Sequence, residues 1–183
     1  MDMQGSRQLV VQQQEAWEAL NDPAVLKLCV PGCKSIDPDG ENAYKFVTGL
    51  KIGPVDATFK GTIKLSDINP PNSYTINFDG NGGAAGYGKG TAQVTLAPKD
   101  SGCELTYTAH ATVGGRMAQV GQRLVDGVAK QMLELFFKRF NDEMLRRHPE
   151  LAPKDASKGG GIPKWVWIVV AAAVVAGIIV ATR

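Results

Sequence analysis

Only two histidines and three cysteines occur in the 183 residues, and that scarcity excludes much chemistry. Val-Pro-Gly separates Cys29 from Cys33. The spacing is neither the two-residue interval of a redox pair nor half of a zinc pattern, since no second pair or His cluster accompanies it. With Cys103, these thiols read as small buried hydrophobes in a reducing compartment. His110 falls on the polar side of a Thr-rich strand and His148 ends a helix before Pro149, so both are expected at the surface. No HExxH or GxSxG motif is present. A net charge of +2 gives no case for nucleic acid. MDMQGSRQLVVQQQEAW lacks a charged segment followed by an apolar run, so no secretory signal is predicted and the bulk of the chain is expected in the cytoplasm.

Gly83 to Gly90 (GAAGYGKG) comes close to a phosphate loop. Its last position holds glycine instead of Ser or Thr, and the strand-like TAQVTL follows where a helix N-terminus is needed. It reads as a glycine-rich turn between strands.

One long hydrophobic run is present. From Trp165 to Ala181 every residue is apolar or small. A helix over 165–182 would be about 27 Å long, near the hydrocarbon thickness of a bilayer, and it has no polar face. Trp165 and Trp167 stand at its first edge, where indoles favour headgroups. Between Arg146 and Lys164 lie five Lys or Arg against two acids, as the positive-inside bias requires. A single-pass C-terminal anchor is expected, with the preceding domain facing the cytoplasm.

Three parts follow: a domain at 1–147, a linker at 148–164 and the transmembrane helix at 165–182. The linker mixes Pro, Lys, Ser and three consecutive glycines, with a coil span of about 20–25 Å. Inside the domain, MQGSRQLVV reads as a strand and Gln12 to Leu20 as a short helix. Asp22-Pro23 starts a second helix that ends near Cys29. From Cys33 to Val113 the apolar period is two, as in antiparallel strands with one buried face. From about Met117 to Arg147 the period becomes helical, with Met117, Leu124, Val125, Val128, Met132, Leu135, Phe136 and Phe140 on one broad face. The natural place for such a helix is the concave side of the sheet. Ala57, Gly61, Gly80, Ala92, Ala109 and Ala111 share the inward parity, which leaves two readings open: a hollow core, or close packing against the helix.

LNDPAVLKLCVPGC (20–33), GPVDATFKG (53–61), DINPPNSYTINFDGNGG (67–83), AGYGKGTAQVTL (85–96) and LTYTAHATVGGRMAQVGQRL (105–124) resemble, in order, blocks of the carbon monoxide dehydrogenase CoxG family. The resemblance implies an α+β helix-grip fold of the START-like (SRPBCC) superfamily, a curved antiparallel sheet wrapped around a long C-terminal helix. It also implies association at the cytoplasmic membrane with a molybdenum-containing carbon monoxide dehydrogenase or a related molybdenum hydroxylase. Members of that family bear no molybdopterin, flavin or iron–sulfur centre, and this sequence lacks a cluster-ligating cysteine set.

Anchor and domain together suggest a carrier. A long-tailed quinone does not leave lipid unaided, since each exposed CH₂ costs about 0.8 kcal/mol. An apolar groove between sheet and helix would take the tail and present the head group to the dehydrogenase. The expected ligand is a non-covalent menaquinone or ubiquinone, or another lipid. Parity and helical face nominate Phe59, Phe78, Leu124, Val128, Met132, Leu135 and Phe136 as lining, with Tyr87 and Pro31 at the opening. A second reading is a docking protein with a filled core, contacting its partner through Val30 to Lys34 and Gly80 to Lys89. Catalysis inside the cavity is not expected, because no catalytic group has inward parity.

Overall fold

Asp22 shows how closely local sequence sets local structure. Its carboxylate accepts from the backbone N–H of Ala24 at 2.9 Å, and Pro23 fills the first helical position. In the computed structural model, which describes residues 1–152, this cap opens α2 (Pro23–Cys29), directly after α1 (Gln13–Leu20). The strands are β1 (Asp2–Leu9), β2 (Cys33–Pro38), β3 (Ala43–Ile52), β4 (Val55–Asn69), β5 (Ser73–Asn81), β6 (Tyr87–Lys99) and β7 (Gly102–Gly114). They form one antiparallel sheet in the order β1-β7-β6-β5-β4-β3-β2. The α1–α2 pair carries the chain from one edge strand to the other.

The single helix expected from Met117 to Arg147 is in fact two. A short α3 (Arg116–Gln119) precedes α4 (Gln122–Arg147), and Gly121 between them has φ +97°. A side chain there would be strained, so the sequence permits the break with glycine. The buried face of α4 is also rotated from expectation. Val125, Phe137, Phe140 and Met144 are buried, whereas Leu124 (40% exposed) and Leu135 (37%) lie on the flank. At about 100° per residue, both fall beyond Val128 at the edge of the arc centred on Ala129 and Phe136.

Buried side chains form two clusters. In one, α1, α2 and the second half of α4 close over β1, β6 and β7 through Leu9, Val25, Leu96, Cys103, Phe140 and Met144. The other joins Ile52, Val55, Phe59, Ala85, Met117 and Val125. Pro149–Leu151 forms a single 3₁₀ turn after α4. The rest of the expected linker and the expected span at 165–182 lie outside the described residues. No helix among the described residues is long and apolar enough to cross a membrane.

Thiol reactivity follows from burial. It raises Cys29, with help from the nearby Glu143 carboxylate, to about 11, and raises Cys103 to about 11. Cys33 is half-buried and its thiol is also pushed up by burial. All three are thiols, not thiolates, at neutral pH. An alkylating reagent should label Cys33 first and reach Cys29 and Cys103 only in denaturant. Mass spectrometry of the labelled peptides checks this, and equal rates at the three sites would contradict the packing.

At the end of α4, Glu143 accepts from Arg146 (2.7 and 2.8 Å) and Arg147 (2.8 Å). These bonds hold its carboxyl down at about 2, below its ordinary 4.5. A depressed folded-state pKa stabilises fully above the unfolded value and loses that contribution as pH falls through the folded one. Denaturant midpoints measured from pH 5 to pH 2 should therefore fall less steeply in Glu143→Gln than in the wild type. Parallel slopes would remove Glu143 as a source of acid sensitivity.

Candidate functional site

The concave face of the sheet and α4 do not close on each other completely. Two apolar chambers remain between them. The first, about 240 Å³, lies toward α3 and the β3–β4 turn and is lined by Phe46, Leu50, Phe59, Phe78, Val128 and Met132 among others. The second, about 280 Å³, lies under α1–α2 and is walled by Tyr44, Ile63, Tyr74, Tyr107, Phe136 and Phe137 among others.

Both owe their space to the alternation of large and small residues along the inward face. Ala111 opens the first chamber, and Ala92 and Ala109, cross-strand partners, open the second. Where the face carries rings, glycine gives them room. The Phe46 ring lies over Gly80, where a Cβ would sit 3.1 Å from its Cζ. Lys89 and Thr112 border the first chamber but belong to the outward parity and are exposed. The Thr48 hydroxyl, also on that border, donates to the Pro31 carbonyl at 3.4 Å.

The polar atoms of the second chamber's side chains are phenols. Tyr44 donates to the Asn21 carbonyl at 3.3 Å. Tyr74 is buried against the edge of Trp17, and that burial pushes its phenol well above the ordinary value, so it stays neutral. Among the described residues, neither chamber is lined by His, Cys, Asp or Glu, and no group of three or more such residues could hold a metal. His110 pairs with Asp2 at 2.6 Å on the exposed outer face, and neither residue lines a chamber. The arrangement can hold an apolar molecule out of water. Its lining carries no carboxylate, imidazole or thiol.

Of the residues nominated from the sequence, Phe59, Phe78, Val128 and Met132 line the first chamber and Phe136 lines the second. Four others line neither. Leu124 reaches over Gly53 at the β3–β4 turn, Leu135 faces outward, and Tyr87, 45% exposed, lies across Gly114. Pro31 stands behind Thr48 through its carbonyl. Sequence reasoning passed over Phe46, Leu50 and Val113 as lining residues although their inward parity was visible. It also passed over Met1, whose amino group donates to the Ala111 carbonyl at 2.9 Å. No periodicity signals that contact.

A seven-stranded antiparallel sheet gripping a C-terminal helix around an apolar interior is a START-like helix-grip fold. Likeness to solved structures agrees. A conserved protein from Geobacillus kaustophilus superposes with a TM-score of 0.75 at 36% identity, over 80% of this chain and 96% of that one. Ara h 8.0201 shares the fold at a TM-score of 0.59 and 15% identity, over 80% and 98%. Protein Ms6760 from Mycobacterium smegmatis does so at 0.60 and 14%, over 80% and 92%. No curated protein matches the sequence. The model of the carbon monoxide dehydrogenase CoxG family matches residues 5–145. The chain belongs to that family, whose name ties it to carbon monoxide dehydrogenase as an accessory component.

Proposed function

We propose that this protein is a membrane-tethered carrier that takes a respiratory quinone into its apolar interior and presents it to a molybdenum-containing carbon monoxide dehydrogenase or related hydroxylase. The observation that carries this reading is the pair of apolar chambers between sheet and α4, whose lining carries no carboxylate, imidazole or thiol. They favour a carrier over a docking protein with a filled core. The ligand would be menaquinone or ubiquinone, held non-covalently by burial of its isoprenoid tail, at about 0.8 kcal/mol per CH₂ removed from water.

The C-terminal run at 165–182 would place the domain on the cytoplasmic face of the membrane. The tether would raise the local concentration of both ligand and enzyme without adding a contact. In this reading the dehydrogenase is recruited to the membrane and coupled to the quinone pool by one chain.

A reconstituted assay tests it: carbon-monoxide-dependent reduction of quinone in vesicles by the purified dehydrogenase, with and without the full chain. A rate that rises with added chain, in proportion to its amount in the membrane, supports the carrier. An unchanged rate of quinone reduction, with the enzyme nevertheless bound to the vesicles, leaves recruitment alone.

A further inference from the structure

The boundary between the two chambers can be followed from strand to strand and onto α4. Phe78 on β5 lines the first chamber, while its direct cross-strand partner on β4, Ile63, lines the second. On the next strands the division falls between Ala111 and Ala109 of β7, two residues apart on one face. On α4 it falls between Met132, which lines the first, and Leu133 and Phe136, which line the second. The Phe78 ring extends across Gly90 of β6, its other cross-strand partner, where a Cβ would come within 2.9 Å of its Cζ. Glycine at that position leaves room for the ring at the dividing row. The dividing groups are side chains along one face of the sheet and one side of α4, and side chains change rotamer without moving the backbone.

Size decides what the division means. Sites that enclose a drug-sized ligand measure about 300–1,000 Å³. Each chamber alone is smaller than that range, at about 240 and 280 Å³, and the two joined fall inside it. Along β7 the lining runs from Leu105 in the second chamber to Val113 in the first, about 26 Å of strand. That is a shape for an extended chain, not for a compact ring.

We infer that the site is bipartite: a long apolar chain threads past Phe78 to occupy both chambers, and Phe78 sets which tail lengths the domain accepts. The inference rests on the carrier reading and adds to it a selectivity for tail length. Ala92 and Ala109 give the second chamber its depth for the chain, and Gly90 gives the Phe78 ring a place to lie.

The test offers the full chain, in detergent, an equimolar pair of ubiquinones with a single isoprene unit and with a tail of several, and reads the bound ratio by native mass spectrometry. In the wild type the long tail is expected to predominate. Ala109→Phe, which fills the second chamber, should lower the long-to-short ratio about tenfold or more, since several buried methylenes are lost. Phe78→Ala, which removes the partition, should raise the ratio severalfold. Phe78→Leu provides the same comparison with less lost packing, should the alanine variant fail to fold. A ratio unmoved by Ala109→Phe and by the folded Phe78 variant overturns the bipartite site while leaving the carrier standing. A wild-type chain that takes up neither quinone overturns the carrier and the inference with it.

Discussion

Val128→Trp should strip the domain of its ligand while leaving it folded. Val128 of α4 lines the first chamber, one turn before Met132 and together with Phe78 of β5. Enlarging a side chain in a close-packed core costs about 1–3 kcal/mol through strain. Here the indole enters open volume of about 240 Å³, so it fills a void that the ligand would otherwise occupy. Added apolar burial offsets strain at about 25 cal/mol per Å². Bound quinone per chain is therefore expected to fall about tenfold or more, by loss of the buried methylenes, with a melting temperature within a few degrees of the wild type. Lipid extraction followed by chromatography reads the first, and scanning calorimetry the second. Full retention of quinone by a folded Val128→Trp would show that the first chamber is not where the ligand sits.

Phe140→Ala should do the reverse, damaging the fold and sparing the chambers. Phe140 is completely buried and stacks on Phe136 with ring centroids 6.2 Å apart. It belongs to the cluster that ties α1, α2 and α4 to β1 and β7, and it lines neither chamber. Truncating a buried phenylalanine costs about 3–5 kcal/mol, because the surrounding side chains relax only partly into the cavity. For a domain of this size each kcal/mol lowers the melting point by about 2–4 °C, so a drop of roughly 6–20 °C is expected. Below that temperature, quinone occupancy should stay at the wild-type level. A loss under about 1 kcal/mol would mean that the site collapses far more readily than its packing implies.

Phe59 and Phe78 show how much of the site is legible in the sequence. Strand parity from Cys33 to Val113 determines which side chains face inward, and it placed Phe59 and Phe78 on the inner face of the sheet, where they line the first chamber. Alternation is a property of each strand alone and survives any change in how strands are paired. The helical face was harder. Leu124 and Leu135 satisfy the amphipathic pattern, yet the arc buried on α4 depends on where α2 and the sheet edge meet it, which is tertiary information. Phe137 was missed for the same reason and is buried beside Tyr107. The break at Gly121 left a signal, a glycine before Gln122, that periodicity overrode. The second chamber was only partly legible: parity and helical face reached Ala92, Ala109 and Phe136, but not its roof. It exists because α1 and α2 fold back over Tyr44, Tyr74 and the second half of α4, and neither helix carries a pattern that specifies its landing site.

The central claim is that the interior holds a quinone. It is tested most directly by purifying the full chain from a quinone-producing host and weighing it intact by native mass spectrometry, with extraction to identify what is bound. The carrier account predicts close to one menaquinone or ubiquinone per chain. A chain recovered empty, which also refuses quinone added in detergent, would contradict it and leave recruitment of the dehydrogenase as the function of the domain.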